Sequence, residues 1–229
     1  RRPEPRPIRS EPRCRTSGEP VLAPPISTCD EEQMTNDSVV LADADGRPCG
    51  TADREGVHGV DTPPLHFAFS CHLVDGNRIL MTRRALSKRS WPGVWTNSFC
   101  GHPRPGESVV DAVHRYAQRE LGIDVDEVRC ILPDFRYRAV DASGIVENEI
   151  CPVFVARPVG SLEPNPDEVA EYAWAEVPDV WDLVARTPWA VSPWFADQVR
   201  QLPGPDPHGF VDGALVDSTH PMTARASNP

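Results

Sequence analysis

Residues 91–123 read WPGVWTNSFCGHPRPGESVVDAVHRYAQRELGI, so a thiol–imidazole pair, a proline-rich turn and an amphipathic run follow one another without a break. Cys100 and His102 stand two apart, which in an extended segment points both side chains to one side. Pro103-Arg104-Pro105-Gly106 then turns the chain. Val109, Ala112, Val113, Ala117 and Leu121 recur at helical spacing, and Gly122 is suited to close the helix. A turn carrying Glu107 that leads into a helix carrying Glu120 can hold a divalent cation beside a diphosphate.

The flanking pattern is one of strands. Ser38–Ala42 followed by Asp43-Ala44-Asp45-Gly46 reads as a strand and turn, and residues 65–74 as a longer strand. Asp75-Gly76-Asn77 is a hairpin-type turn with a return strand at 78–82. Further strand-like runs lie at 128–132, 135–140 and 150–156, with a Trp-containing segment at 172–174 and a last helix near 194–202. Mixed strands with few helices predict an α/β sandwich. Residues 1–35 and 204–229 are poor in core-forming pattern, the first rich in proline and arginine, and are expected to be disordered tails around one domain at 36–203.

Composition narrows the function. A formal net charge of −11 argues against nucleic acid or an anionic membrane as partner. It leaves room for a small anionic substrate, because charges more than about 8 Å apart are largely screened and a local Arg/Lys cluster can still make a positive pocket. No apolar run reaches the roughly 18 residues of a membrane span. Arg1-Arg2 is followed by proline, charge and serine rather than an apolar export segment, so the expected location is the cytoplasm. Seven scattered cysteines without paired spacing read as reduced thiols.

Four stretches follow in order: Thr82-Arg83-Arg84-Ala85-Leu86-Ser87-Lys88, the run from Trp91 through Cys100-Gly101-His102-Pro103, Asp134-Phe135-Arg136-Tyr137, and Glu147-Asn148-Glu149-Ile150-Cys151-Pro152-Val153-Phe154. Together they closely resemble the type 1 isopentenyl-diphosphate isomerases over about residues 38–202. That resemblance implies a Nudix-type α/β/α sandwich with a mixed sheet and the interconversion of isopentenyl and dimethylallyl diphosphate. It assigns His58, His66, His102, Glu147 and Glu149 to a metal site, and such a donor set suits Mn²⁺ or Zn²⁺. In strand geometry Glu147 and Glu149 share a face, so both are expected to meet one ion.

The resemblance also makes Cys100 and Glu149 the opposed proton carriers, with Tyr137 hydrogen-bonded to the Glu149 carboxyl as a relay. Trp194 matches the aromatic that faces a carbocation. Arg84 and Lys88 match the diphosphate-binding pair, sharing a face if their run is helical. Arg54 stands where the family has Lys and can still bind phosphate, bidentately. Glu120 is expected to hold a Mg²⁺ that bridges diphosphate oxygens. A monomer is expected. His72, six residues beyond His66 on the same strand face, would lie about 20 Å away and share no ion. His114, His208 and His220 read as ordinary imidazoles.

Two rival classes are weighed against this. A Nudix diphosphatase needs several carboxylates, and positions 116 and 119, where its motif wants Glu, hold Tyr and Arg. A silent Nudix-fold binding module has no need of Cys100, Tyr137 and Glu149 together.

Overall fold

Buried residues run almost without interruption through the central strands because both faces of their sheet are covered. The computed structural model describes residues 38–54, 56–60 and 63–204; the expected tails lie outside them, apart from Gly204. In chain order the elements begin with β1 (Ser38–Ala42), β2 (Pro48–Asp53), β3 (His66–Phe67), β4 (Phe69–Asp75), β5 (Arg78–Arg84), β6 (Trp95–Thr96) and β7 (Phe99–Gly101). Then come α1 (Val109–Leu121), β8 (Asp124–Leu132), β9 (Arg136–Val140), β10 (Val146–Ile150) and β11 (Val153–Val159). The order closes with β12 (Val169–Glu176), α2 (Val177–Arg186) and α3 (Pro193–Gln201).

One sheet runs β2-β1-β3-β10-β9, and the other β12-β5-β4-β11-β8 with β6 on β5 and β7 on β4. The pairs β3–β10 and β4–β11 are parallel and the rest antiparallel, so both sheets are mixed. Alternation along β4 decides the layers. Phe69, Cys71 and Leu73 pack with Ala112, Val113, Tyr116, Ala117 and Leu121 of α1. The opposite face sends Val74, Ile79, Val153 and Val155 against Val180 and Val184 of α2 and Phe195 and Val199 of α3. The result is the expected α/β/α sandwich.

Helix α1 forms where its spacing places it. Ser108 Oγ accepts the Asp111 N–H at 3.1 Å, and Gly122 ends the helix at φ 61°. Gly122 is also pinned by a close approach, since a Cβ there would lie 2.6 Å from the Glu163 carbonyl oxygen.

Two strands expected to be continuous are each broken. Residues 65–74 divide at Ala68 into β3 and β4, and residues 150–156 divide at Cys151-Pro152 into β10 and β11. The breaks lie side by side: Ala68 N–H bonds Ile150 O at 2.9 Å and Ser70 N–H bonds Pro152 O at 3.1 Å. Pro152 has no N–H to give a ladder, so the chain changes sheets there, and its parallel neighbour changes with it. The break also corrects the placing of His72, which stands in a different strand and sheet from His66 rather than farther along one strand. The 84–88 run is not helical; Arg84 ends β5 and Lys88 closes a turn onto Ala85 O at 3.2 Å. Helix α2 and the exposed edge strand β2 go beyond the sequence expectation. Pro178 in the first turn with Val177, Val180 and Val184 on the buried side is the signal that marks α2.

His72 gives a pH-dependent share of the stability. Burial, opposed by its bond to Gln198, lowers its pKa from 6.5 to about 4. Between those values the unfolded chain binds a proton that the folded chain does not. The contribution is therefore complete above pH 6.5 and lost as pH falls toward 4. The shift corresponds to about 3 kcal/mol. Denaturant unfolding at several pH values should show wild type losing about that much more over this range than His72→Leu; parallel pH dependence in the two proteins would count against it.

Candidate active site

The strand register brings the ligand set together. In the parallel pair β3–β10, Glu149 lies directly beside His66. His102 follows β7, and His58 is carried on a loop tied to β10 by the bond from Val146 N–H to Gly59 O at 2.8 Å. The Nε2 atoms of His58, His66 and His102 converge on Glu149 Oε1 at 3.4, 3.4 and 3.3 Å. All four ligand atoms fall within 4.8 Å of one another.

A cation fits this cluster on the chemistry of its donors. His66 Nδ1 lies 3.0 Å from Pro64 O, which can only accept, so the ring proton sits on Nδ1. Burial works to lower the His66 imidazole but the Glu149 charge raises it overall, so positive charge is favoured where Nε2 faces the carboxylate oxygen at 3.4 Å, and that buried nitrogen has no hydrogen-bond partner. A lone pair facing an anion is repulsive unless positive charge stands between them. Burial by itself would raise the Glu149 carboxyl, yet hydrogen bonds from His102 and His58 hold it well below the usual carboxylate range. Burial also lowers His102 to about 4, leaving it neutral and able to ligate.

Glu147, expected to meet the same ion, lines the same cavity but lies outside this four-residue cluster. Its Oε1 accepts the Ser90 hydroxyl at 2.6 Å and its Oε2 accepts the Tyr137 phenol at 2.9 Å. Tyr137 therefore donates to Glu147 and not, as expected, to Glu149. Burial, with the charges of Glu147 and Glu149, pushes the Tyr137 phenol well up and keeps it protonated.

Every sequence-predicted site residue except the fully buried His66 lines a single cavity of about 390 Å³. Cys100 sits in its wall. Burial pushes the thiol up to about 12 against the hydrogen bonds of Ser70 and Asn97, so the resting group is S–H. Asn97 Oδ1 accepts the Trp194 indole N–H at 3.0 Å, which fixes that ring at the first turn of α3. Tyr137 and Trp91 flank the indole, each with a ring-centroid separation of 5.5 Å. Trp91 holds φ 51°, a strained backbone for a bulky residue, with its N–H tied to Asp141 Oδ2 at 3.2 Å.

The far end of the cavity is basic and acidic at once. Arg54, Arg84 and Lys88 line it beside Glu120 and Glu168. Lys88 Nζ stands 4.0 Å from Glu120 Oε1 and is bonded to Glu168 Oε2. Burial pushes the Glu120 carboxyl up to about 7, with Lys88 opposing and Glu168 adding to the shift. Arg84 donates to the Ser90 carbonyl at 2.9 Å. Glu107 is spent elsewhere: Arg115 bonds it at 2.7 and 2.6 Å and holds its carboxyl down.

Tyr116, at one of the two positions lacking an acid, packs its ring edge-on against Phe69 at 5.5 Å. It also lies against Gly101, where an added Cβ would stand 2.5 Å from the ring. Gly101→Ala should therefore cost about 1–3 kcal/mol in thermal or denaturant unfolding. Adding Tyr116→Ala should recover part of that loss; no recovery would sink the assigned clash.

Sequence reasoning missed Ser90, Asn97 and Glu168. Asn97 lies inside the quoted motif stretch and Ser90 directly before it, but their roles depend on partners 97 and 57 positions away, Trp194 and Glu147.

A mixed-sheet α/β/α sandwich whose helix α1 follows a Gly-led, acid-bearing turn defines a Nudix protein, and the NUDIX domain family model matches residues 64–197. The crystal structure of DR0079 from Deinococcus radiodurans shares the fold with a TM-score of 0.54 at 20% identity, covering 72% of this chain and 98% of that one. The isopentenyl-diphosphate Delta-isomerase of Frankia alni is 51% identical over 190 residues, 82% of this chain and 91% of the relative. The enzyme of that name from Leifsonia xyli is 57% identical over 169 residues, 72% and 91% of the two chains. Within the Nudix superfamily, this chain belongs to the type 1 isopentenyl-diphosphate Delta-isomerase family. Among the described residues no helix is long and apolar enough to cross a membrane.

Proposed function

We propose that this chain interconverts isopentenyl and dimethylallyl diphosphate by moving one proton onto, and another off, adjacent carbons. The observation that carries the reading is the convergence of three imidazole Nε2 atoms on Glu149 Oε1 in the cavity that also holds the Cys100 thiol. Tyr116 and Arg119 offer no carboxylate for diphosphate hydrolysis.

An isolated alkene is a very weak base, so its protonation needs a strong, positioned acid and shelter for a tertiary carbocation. Cys100 and Glu149 are the two proton carriers, exchanging roles as the reaction runs forward or back. His58, His66, His102 and Glu149 would hold Mn²⁺ or Zn²⁺, and a bound cation makes a protonated Glu149 carboxyl more acidic by favouring the carboxylate left behind. Tyr137 donates its phenolic proton to Glu147, which keeps a buried carboxylate paired beside the reacting carbons. The Trp194 face stabilises positive charge through its quadrupole.

At the other end, Arg54, Arg84 and Lys88 bind the diphosphate, and Glu120 would hold Mg²⁺ against its oxygens. Lys88 then exchanges Glu168 for phosphate. Residues 36–203 form the working unit, a monomer in the cytoplasm whose partner is a small diphosphate, not nucleic acid or membrane. Metal-replete protein given isopentenyl diphosphate should form dimethylallyl diphosphate with no phosphate set free. Release of phosphate or monophosphate without the isomer would replace this reading by the hydrolase.

A further inference from the structure

Cys100 Sγ stands at the end of a buried row of polar side chains that proton transfer alone does not call for. Strand β7 pairs with β4 so that Cys100 is directly opposite Ser70, and Ser70 Oγ lies 3.1 Å from Sγ. Behind Ser70, Gln198 of α3 donates from Nε2 to Ser70 Oγ at 2.9 Å. The other end of that amide, Oε1, faces His72 Nε2 at 3.1 Å. Ser70, His72 and Gln198 are all 0% exposed.

A row of this kind is costly to bury unless each member is paired, and apolar side chains could fill the same space. Its pairing sets a direction. A hydroxyl carries one proton. With Gln198 donating to one lone pair, Ser70 keeps its O–H and its second lone pair for the sulfur. On the other side Asn97 Nδ2 stands 3.2 Å from Sγ, its amide oriented because Oδ1 accepts from the Trp194 indole, which can only donate. The sulfur is thus held from two sides by groups that are themselves held.

We propose that Ser70 and Gln198 are positioning residues for the reaction at Cys100: Gln198 fixes Ser70, and Ser70 fixes Sγ toward the cavity. The inference rests on the reading of Cys100 as a proton carrier. The Ser70 hydroxyl can turn to accept from S–H or donate to S⁻, so one contact holds the sulfur before and after a proton moves. Neither residue lines the cavity, so neither contributes to diphosphate binding.

The test is steady-state kinetics on metal-replete protein with isopentenyl diphosphate, using Ser70→Ala, Gln198→Met and the double variant, each checked for folding by its melting transition. Misplacement of a reacting atom by an ångström costs about 10²-fold, which sets the expected fall in kcat for Ser70→Ala. KM should stay within about twofold, since only an interaction made in the transition state is lost. Gln198→Met should lower kcat in the same sense. The double variant should be no worse than Ser70→Ala alone, because the residues act in series. Ser70→Thr, which keeps the hydroxyl, should recover most of the rate.

A folded Ser70→Ala or Gln198→Met protein with wild-type kcat, multiplying effects in the double variant, or a loss confined to KM would each overturn the inference. If Ser70→Ala fails to fold, Gln198→Met decides. Cys100→Ala measured alongside separates the two levels. Full activity there removes the underlying reading and this inference with it, whereas an inactive Cys100→Ala beside a fully active Ser70→Ala removes this inference alone.

Discussion

Cys100→Ala should lower turnover by about 10²- to 10⁴-fold, the range in which a positioned acid or base contributes. The side chain is small and lies in a cavity wall, so its loss changes a proton carrier far more than it changes packing. Melting temperature should stay close to that of wild type, and KM for isopentenyl diphosphate should move little. Glu149→Gln should be as inactive for two reasons at once. The amide cannot carry the proton, and it removes the charge on which three imidazoles converge. A Cys100→Ala protein that isomerises at the wild-type rate would remove the thiol from the mechanism.

The second large effect concerns the metal. His102→Ala takes away one of three Nε2 donors and should reduce the retained Mn²⁺ or Zn²⁺ well below about one ion per chain. Metal content after exhaustive dialysis, read by elemental mass spectrometry, gives the result without reference to activity. Because the ion binds only the folded arrangement of ligands, its removal from wild type should lower the melting temperature, and readdition should restore it. His72→Leu is the control, since His72 bonds Gln198 and lies outside the cluster. Undiminished metal in His102→Ala would show that the three imidazoles do not form the site.

Helix α1 and its glycine stop were legible because each is written in neighbouring residues, the apolar spacing and Gly122. The clustered histidines were legible only through resemblance, since His58, His66 and His102 meet by way of a loop, a parallel strand pair and the end of β7. Periodicity put Glu147 and Glu149 on one face correctly, but a face does not choose a partner. Ser90 and Tyr137, from a loop and a neighbouring strand, each donate to one Glu147 oxygen, contacts that spacing along the strand does not show. The breaks at Ala68 and Cys151-Pro152 were hidden because both halves of each run are apolar. Only the pairing of the two segments shows that they pass together from one sheet to the other.

The central claim is that a proton from solvent-exchanging groups reaches the alkene carbon while the diphosphate stays whole. Metal-replete protein turning over isopentenyl diphosphate in heavy water, with isotope content and free phosphate followed in one sample, tests it most directly. The account predicts deuterium in the dimethylallyl product and no phosphate released. Phosphate released with no deuterium in the carbon skeleton would contradict it.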